Sequence, residues 1–452
     1  MAGIIIAGTN SGVGKTTISM GLMAAFRKKG YEVYPYKVGP DYIDTGFHSF
    51  ISKNPSYNLD AYLLGEEKVR YEYSKRKSDK NSIKIIEGVM GLYDGFGVVD
   101  TIASTAHVSK ILNVPVVLVI DGGAVATSAA AEVLGYKMFD LDVDIAGVIV
   151  NRVSGEAHYE MIKKAIEHYT NIRCFGYLFK NNDVSLNSRH LGLIPADEVE
   201  TLSKKIDELA NIISETIDLE KIADVADSIK DEEAKMPVDL SNFIDKYKPC
   251  FSGKRIAIAK SKAFSFYYQS NIDILKKLGI ELVDVNPNTD SELPKDIHAI
   301  YLGGGFPEVF AKELSENVRF RSVLKERLDS GLIGYAECGG LMYLTESITT
   351  IDGEKYPMSG FIKGHTVMQK RLQRFGYVNV KCDELEFPAH EFHHSKLIDI
   401  GEEKRAYKVE KIRDGKLLKE WTCGINKKNT LATYDHVLFL SNLELIRKVF
   451  VK

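Results

Sequence analysis

The chain has 452 residues, 44% of them hydrophobic and 27% charged, which is ordinary for a soluble globular protein of roughly two to four domains. Its formal net charge of -3 supplies no basic field that would attract nucleic acid or an anionic membrane, so we expect neither partner. No apolar run approaches the ~18–20 residues of a transmembrane helix, which argues against a membrane protein.

The cysteines favour a reducing compartment. There are five of them, scattered and without a CxxC pair, which argues against a structural zinc site or a disulfide framework. The apolar N-terminus up to Gly8 is short, lacks a basic leader and runs into a glycine loop, so we interpret it as a buried strand rather than a signal peptide. We therefore expect a cytoplasmic protein.

The first half of the chain alternates short apolar runs with helical patterns. The predicted strands cover residues 4–7, 83–86, 114–120 and 145–150. One helix is predicted after Lys15, ending at Gly30, and another over residues 124–138. Continuous apolar strands that alternate with helices predict an α/β fold with a mostly parallel, doubly wound sheet.

A second α/β series follows a charged, sparsely apolar stretch. Its predicted strands cover residues 255–259, 281–285, 299–302 and 332–336. We therefore predict a first domain over residues 1–217, a linker over residues 218–253 with room for a packed helix, and a second domain over residues 254–452. The second domain is also predicted to be doubly wound.

A glycine loop follows the first predicted strand and opens the first predicted helix. This is the context of the phosphate loop of P-loop NTPases, in which backbone N–H groups and a helix N-terminus surround the phosphates. Lys15 would neutralise β- and γ-phosphate charge, and the Thr16 hydroxyl would reach Mg²⁺. The residues predicted to bind ATP in this loop are Thr9, Asn10, Gly12, Val13, Gly14, Lys15, Thr16 and Thr17.

The loop departs from the usual spacing in one respect. A glycine is normally found at the position of Thr9, and this chain has its leading glycine at Gly8. That variant resembles the dethiobiotin synthetase branch of P-loop enzymes. The same superfamily includes chromosome-partitioning and septum-site ATPases, which typically carry a second lysine in the loop where this chain has Asn10. The missing lysine weakens, without excluding, a partitioning or localisation ATPase.

Acidic residues follow two further predicted strands. Asp41 and Asp44 lie in a segment punctuated by glycine and proline, and Glu87 and Asp94 follow the strand that ends at residue 86. Open α/β sheets bind ligands at the carboxyl ends of their strands, and phosphoryl transfer needs carboxylates to hold Mg²⁺. Glu87 is the best candidate for a metal ligand, with Asp41 or Asp44 sharing the task beside Thr16.

At these residues the chain resembles the cobyrinate a,c-diamide synthase family of corrinoid biosynthesis. The resemblance covers nearly the whole chain. Its segments in the first half are the phosphate loop and residues 37–44, 47–48, 58–60, 87–95, 147–153 and 189–193. The resemblance implies ATP-driven amidation of the a and c acetate side chains of the macrocycle, with glutamine as nitrogen donor. It places Asn151 and Arg152 beside the adenine. It also implies that the metal, phosphate and substrate region is lined by Asp41, Tyr42, Asp44, Glu87 and Asp94, and we add Lys37 as a group that stabilises phosphoryl charge.

The second half carries a candidate nucleophile. Cys338 lies in a Glu-Cys-Gly-Gly turn between an apolar strand and a helix, where the side chain is held exposed and the helix N-terminus favours the thiolate. An upstream glycine turn ends another strand, and the N–H groups of Gly304, Gly305 and Gly339 are candidates for an oxyanion hole. This pairing resembles class I glutamine amidotransferase domains and predicts that Cys338 is catalytic.

The general base is expected to be a histidine. The segment around His436 matches the C-terminal histidine segment of the family, so we assign His436 to this role. The usual amidotransferase triad has an acidic residue two positions later, where this chain has Leu438. That departure fits the corrinoid branch, which resembles a Cys–His dyad, and it leaves open whether a third residue supports the histidine. His393 and His394 are the alternative candidates.

Together these features predict a ligase that amidates cobyrinate in cobalamin biosynthesis through acyl-phosphate intermediates. ATP is its expected co-substrate and Mg²⁺ its expected cofactor. The nearest alternative is the nickel-sirohydrochlorin a,c-diamide synthase of methanogen cofactor biosynthesis, which shares the motifs, whereas cobyric acid synthase acts on other side chains of the ring system. The expected partners are small molecules, namely a tetrapyrrole-type macrocycle, glutamine and ATP, and a homo-oligomer is left open.

Overall fold

The computed structural model describes residues 3–76, 79–97, 99–180, 196–228 and 233–451. The chain divides into two compact units, Met1–Lys235 and Met236–Lys452. This division falls within residues 218–253, the stretch predicted to be a linker. Residues 189–193, which contribute to the family resemblance, lie outside the described residues. Among the helices of the described ranges, none combines the length and the apolar character needed to cross a membrane.

The first unit is built on a parallel sheet. Its strands are β1 (Gly3–Gly8), β2 (Glu32–Val38), β3 (Tyr57–Leu59), β4 (Ser82–Glu87), β5 (Val116–Asp121), β6 (Ile145–Val153) and β7 (Arg173–Phe179). The sheet has seven strands in the order β3-β2-β4-β1-β5-β6-β7, and every neighbouring pair is parallel. The prediction of a mostly parallel P-loop-type sheet is confirmed.

Helices accompany these strands, as parallel pairing requires crossover connections. They are α1 (Lys15–Lys28), α2 (Ile43–Ser52), α3 (Ala61–Ser74), α4 (Thr105–Leu112), α5 (Ser128–Phe139), α6 (Glu156–Thr170), α7 (Ala196–Thr216) and α8 (Leu219–Asp227). Helix α8 lies in the predicted linker, yet Ile222 and Ala226 belong to the core of the first unit. Its sequence is charged overall, but its apolar residues recur at helical spacing, so one face is covered.

The centre of the sheet explains where a ligand can bind. Every residue of β1 is buried, which fits its uninterrupted Gly-Ile-Ile-Ile-Ala-Gly sequence. Strands β2, β4 and β1 are consecutive neighbours, so the segments that follow them begin at the same edge of the sheet. Those segments contain the phosphate loop and the acidic residues identified in the sequence.

The second unit contains a larger, mixed sheet. Its strands are β8 (Arg255–Ala259), β9 (Glu281–Val285), β10 (Ala299–Leu302), β11 (Ile333–Glu337), β12 (Ser347–Thr349), β13 (Lys355–Pro357), β14 (His365–Met368), β15 (Arg374–Cys382), β16 (Leu385–His393), β17 (Ser395–Ile398), β18 (Arg405–Arg413), β19 (Lys416–Lys427) and β20 (Thr430–Thr433). Its helices are α9 (Val238–Phe251), α10 (Gln269–Lys277), α11 (Ala311–Glu316), α12 (Val318–Asp329), α13 (Gly339–Leu344) and α14 (Glu444–Phe450).

Only half of this second sheet is parallel. The order of its nine strands is β16-β15-β18-β19-β20-β11-β10-β8-β9. The pairs from β20 to β9 are parallel, and those from β16 to β20 are antiparallel. Four short strands form a separate sheet in the order β13-β12-β14-β17.

The α/β class of the second unit is confirmed, but its antiparallel part was not predicted. In β15, buried Val378, Val380 and Cys382 alternate with partly exposed residues. This period of two is the pattern of a half-buried strand, which is weaker in sequence than the continuous apolar runs of the parallel strands.

Candidate active sites

The phosphate loop runs from the end of β1 at Gly8 to the start of α1 at Lys15. Gly12 and Gly14 have φ angles of 82° and 104°, a left-handed conformation that glycine adopts without steric cost. A Cβ atom on Gly14 would lie 2.1 Å from Asn151 Nδ2, so a side chain at this position would displace Asn151. Both the backbone conformation and the close approach of a neighbouring side chain therefore require glycine here.

Two residues of β6 hold the loop in place. Asn151 Nδ2 donates to Val13 O at 2.8 Å, and Arg152 Nη2 donates to Gly12 O at 2.6 Å. Arg152 Nη1 also forms a 2.5 Å ion pair with Asp121 Oδ2 at the end of β5. The structure thus brings Asn151 and Arg152 to the phosphate loop, and their place beside an adenine stays a prediction.

The first turn of α1 supplies Lys15, Thr16 and the partly buried Thr17. Lys15 is 7% exposed, and its Nζ donates across the loop to Asn10 O at 3.0 Å. Burial, together with the positive charge of Lys37, lowers the pKa of Lys15 to about 8. A phosphate group in the loop would oppose that shift, because its negative charge stabilises the ammonium form.

Glu87 at the end of β4 is the centre of a buried network. Its Oε1 accepts hydrogen bonds from Thr16 Oγ1 at 2.6 Å and Lys37 Nζ at 3.0 Å, and its Oε2 lies 2.7 Å from His48 Nε2. Burial acts to raise the pKa of Glu87, but Lys37 and His48 outweigh burial and hold this pKa well below its usual range. Sequence analysis included Phe47 and His48 in the family resemblance but gave His48 no role of its own.

Lys37 connects Glu87 to the acidic loop that follows β2. Lys37 and Glu87 are partners in register on neighbouring strands, and Lys37 Nζ also lies 2.8 Å from Asp44 Oδ2. Burial acts to lower the pKa of Lys37, but Glu87 and Asp44 outweigh burial and raise this pKa above its usual range. Burial and the charge of Glu87 raise the pKa of Asp44 to about 6. The two acids therefore share one buried ammonium group.

The other predicted residues of this region lie in the same two loops. Asp41 Oδ1 accepts a hydrogen bond from the Asp44 N–H at 2.7 Å, and Tyr42 occupies the N-cap position of α2. Asp94 Oδ2 accepts a hydrogen bond from the Gly91 N–H at 2.8 Å. These turn-forming bonds involve one oxygen of each aspartate.

Cys338 lies in a strained turn between β11 and α13. Its φ of 47° and ψ of −99° are unusual for a residue with a side chain, and its N–H donates to Thr433 O at 2.7 Å. Cys338 is 7% exposed, so its side chain is largely enclosed, and the prediction that this turn holds it exposed is wrong. A Cβ atom on Gly339 would lie 3.1 Å from Gly305 N, which measures how closely the two glycine turns approach. This strand–turn–helix geometry is that of a nucleophile elbow.

His436 completes a pair with Cys338. A Cβ atom on Gly304 would lie 2.7 Å from His436 Cε1, so the imidazole occupies space that only glycine leaves open. Burial acts to lower the pKa of His436, but the neighbouring Cys338 and Glu337 side chains outweigh burial and raise this pKa to about 10. A cysteine beside an imidazole that holds its proton is the arrangement that favours a thiolate nucleophile.

The prediction that Gly304 contributes to the oxyanion hole is not supported by the structure. The Gly304 N–H already donates to Phe266 O at 3.2 Å, so Gly304 makes room for the histidine rather than offering a donor. Among the described residues, the N–H groups of Gly305 and Gly339 have no protein acceptor. These two amides remain candidates for the oxyanion hole.

The alternative histidines have other contacts. His393 Nδ1 lies 2.9 Å from Ser395 O, and its ring stacks on Tyr434 with 3.9 Å between ring centroids. Burial lowers the pKa of His393 to about 4. The neighbouring His394 is only partly buried. These contacts give His393 a packing role and leave His436 as the histidine beside the cysteine.

Sequence analysis missed Glu337. This residue ends β11, is 0% exposed, and has its Oε2 3.7 Å from His436 Nδ1. The hydroxyl groups of Tyr335 and Tyr301 donate to its carboxylate at 2.7 and 3.1 Å. The only signal in the sequence was its position next to Cys338, within a segment interpreted as the end of a strand.

A strand–loop–helix for phosphates in one unit and a Cys–His pair beside a glycine turn in the other define a class of enzyme. Family models match both parts: the CobQ/CobB/MinD/ParA nucleotide binding domain over residues 4–194 and the CobB/CobQ-like glutamine amidotransferase domain over residues 255–443. The protein is a glutamine-dependent, amide-forming ligase with a nucleotide-binding domain.

Curated relatives narrow this class further. The cobyrinate a,c-diamide synthase of Fusobacterium nucleatum is 44% identical over 100% of both chains. The enzyme of the same name from Clostridium tetani is 44% identical over 100% of both chains, and that from Streptococcus sanguinis is 43% identical over 99% of this chain and 98% of its own. The chain belongs to the cobyrinate a,c-diamide synthase family.

Proposed function

We propose that this protein converts the a and c acetate carboxylates of cobyrinate into amides in cobalamin biosynthesis, using ATP and glutamine. The observation that carries the proposal is 44% identity, over the full length of both chains, to an enzyme named for that product. The buried network at the phosphate loop and the enclosed Cys338–His436 pair support it, because each suits one half of the reaction. The free cysteines and the biosynthetic relatives support a cytoplasmic location.

In the second unit, Cys338 attacks the side-chain amide carbon of glutamine. The Gly305 and Gly339 amides stabilise the oxyanion of the tetrahedral intermediate. His436 gives its proton to the leaving nitrogen, which departs as ammonia and leaves a γ-glutamyl thioester. His436 then takes a proton from water as water attacks the thioester, and glutamate leaves while the thiolate is restored.

In the first unit, a substrate carboxylate attacks the γ-phosphorus of ATP, ADP leaves, and an acyl phosphate forms. Lys15 and Lys37 stabilise the negative charge on the transferred phosphoryl group. Ammonia then attacks the acyl carbon, and phosphate leaves to give the amide. We place Asn151 and Arg152 beside the adenine, with Tyr42, Asp44 and Asp94 towards the carboxylate substrate; the bonds of Asn151 and Arg152 to the phosphate loop support the first assignment.

The residues around the phosphate loop fit Mg²⁺. The Thr16 hydroxyl and the carboxylates of Asp41 and Glu87 are the oxygen ligands that this ion prefers, and Thr16 Oγ1 and Glu87 Oε1 lie 2.6 Å apart. We propose that these three residues hold the ion, with Glu87 acting partly through its bond to Thr16. The bound ion would neutralise negative charge on the ATP phosphates.

The macrocycle distinguishes the proposed enzyme from its nearest alternative. Nickel-sirohydrochlorin is chemically close to cobyrinate, and its synthase shares the sequence motifs. The relatives reported above are all named for cobyrinate, which favours the cobalt corrinoid. Purified enzyme incubated with ATP, glutamine and each macrocycle should amidate cobyrinate twice, as followed by mass spectrometry. Preferential amidation of nickel-sirohydrochlorin would refute cobyrinate as the substrate.

The nucleophile is tested by the Cys338→Ser variant. This variant should lose glutamine hydrolysis, while amidation with added ammonium salt should continue because the first unit is unchanged. Cys250→Ser is the matched control, since Cys250 is an exposed free cysteine. Release of glutamate by the Cys338→Ser variant at the wild-type rate would refute the assignment of the nucleophile.

A further inference from the structure

The position that usually supports the histidine of a glutamine amidotransferase holds Leu438 in this chain. Leu438 is 0% exposed and cannot accept a proton or a hydrogen bond through its side chain. The imidazole of His436 has two ring nitrogens, and one of them must face the sulfur of Cys338 for proton transfer. Some other group must therefore determine which nitrogen carries the second proton.

Glu337 is the acidic residue nearest to the second nitrogen. It is fully buried at the end of β11, and its Oε2 lies 3.7 Å from His436 Nδ1, the length of a loose ion pair. Glu337 immediately precedes the proposed nucleophile: it is the last residue of β11, and Cys338 is the N-cap residue of α13, with φ 47° and ψ −99°. The histidine thus interacts with two consecutive residues of one turn.

The carboxylate of Glu337 is held by its own set of donors. Tyr335 OH donates to Oε1 at 2.7 Å, Tyr301 OH donates to Oε2 at 3.1 Å, and the Val437 N–H donates to Oε1 at 3.4 Å. A buried carboxylate is costly unless it is paired and hydrogen-bonded. These donors fix the orientation of the group and leave Oε2 directed at the imidazole.

We propose that Glu337 is the positioning residue of His436, taking the part that the acidic member of a triad plays, and thereby fixes the histidine tautomer and stabilises the imidazolium. This inference rests on the proposed function, because it assumes that Cys338 hydrolyses glutamine. In this chain the supporting carboxylate would come from the residue before the nucleophile. In related domains it comes from the residue two places after the histidine. The raised pKa of His436 agrees with this geometry.

The test is Glu337→Gln, which keeps the shape of the side chain and an oxygen acceptor for the tyrosines but removes the charge. The kcat of glutamine hydrolysis should fall about 10²–10⁴-fold, while the KM for glutamine should stay within about threefold, because Glu337 is not expected to contact glutamine. Ammonia-dependent amidation should be unchanged. If Glu337 had a purely structural role, the variant would yield less folded enzyme, and the folded fraction would not show a kcat that falls while KM stays constant.

The pH profile gives a second readout. Glu337 stabilises protonated His436, so the variant should lose a proton from the imidazole more readily, and the alkaline limb of kcat/KM should move to lower pH by about one to two units. The titratable groups that face His436 are Cys338, Glu337, His390, Glu391, His393 and Asp435. Glu391→Gln is therefore the matched control, since Glu391 is equally buried but its Oε1 lies 3.4 Å from Trp421 Nε1. The Glu391→Gln control should leave the alkaline limb closer to that of the wild type than Glu337→Gln does.

The outcomes separate this inference from the function on which it rests. If wild-type enzyme releases no glutamate from glutamine, the proposed function fails. If wild-type enzyme does so and Glu337→Gln keeps both the kcat and the alkaline limb of the wild type, the positioning role is refuted. Should Glu337→Gln not fold, Glu337→Asp decides, because it retains the charge but withdraws it from His436. A kcat reduced at constant KM supports the proposal, and a wild-type kcat overturns it.

Discussion

The buried network around Glu87 predicts a specific loss of stability when its charge is removed. In Glu87→Gln the amide oxygen can still accept from Thr16 and Lys37, so the change removes the charge but keeps these two hydrogen bonds. Lys37 is 4% exposed and would keep only Asp44 as a close acidic partner. Removing one member of a buried ion pair costs about 3–5 kcal/mol. Because the bonds and Asp44 remain, we expect a loss at the low end of that range, about 3 kcal/mol.

The assay is chemical unfolding followed by two probes. The chain has one tryptophan, Trp421, in the second unit, so its fluorescence reports on that unit, whereas far-ultraviolet circular dichroism reports on both. The Glu87→Gln variant should shift the transition seen by circular dichroism to lower urea concentration and leave that of Trp421 less affected. Glu66→Gln is the control, since the Glu66–Arg70 pair is about half exposed and its removal should cost at most ~0.5 kcal/mol.

A double-mutant cycle with Lys37→Met identifies the cause. If the network is one unit, the double variant should be less destabilised than the sum of the two single variants by more than about 1 kcal/mol, because both unpaired charges disappear together. Additive effects, or a loss below about 1 kcal/mol in Glu87→Gln alone, would mean that the carboxylate is stabilised by something other than these cations.

Two further predictions concern the glycine turns. Gly14→Ala places a side chain at a φ of 104° and 2.1 Å from Asn151 Nδ2, so it should abolish detectable binding of a fluorescent ATP analogue and leave glutamine hydrolysis in the absence of nucleotide intact. Gly304→Ala places a Cβ 2.7 Å from His436 Cε1 and should lower the kcat for glutamine hydrolysis about 10²-fold by displacing the imidazole, while ammonia-dependent amidation continues. ATP binding by the first variant or wild-type hydrolysis by the second would show that the turn can shift to accept a methyl group.

The parts of the sites that could be predicted from sequence depend on local requirements. Gly14, Lys15 and Thr16 are consecutive, and a phosphate loop needs them in that order between a strand and a helix. Cys338 was identifiable for the same reason, because its turn lies between an apolar strand and a helix. Each of these residues is defined by its neighbours in the chain, so one sequence is sufficient to identify it.

Contacts between distant segments could not be predicted in this way. Gly304 was expected to supply an amide to the oxyanion hole, but that amide pairs with Phe266, whose position depends on how another loop folds. His48 lies on an apolar helix face and reaches Glu87 only because α2 packs on β2, the strand next to β4. The antiparallel strands after residue 373 were difficult to predict for the same reason, since their half-buried pattern becomes distinct only once the neighbouring strands are known.

Glu87 and Glu337 share a structural feature that sequence analysis did not predict. Glu87 and Glu337 each end a parallel strand, each is 0% exposed, and each is held by donors from other segments. Sequence reasoning treats a carboxylate at a strand end as a group that faces ligand, since that edge of an α/β sheet is where ligands bind. A buried carboxylate instead acts through the groups it holds, because its charge is least screened there. Glu87 thereby holds Lys37 and Thr16, which we propose contact the ATP phosphates, and Glu337 lies where it can orient His436, the proposed partner of Cys338.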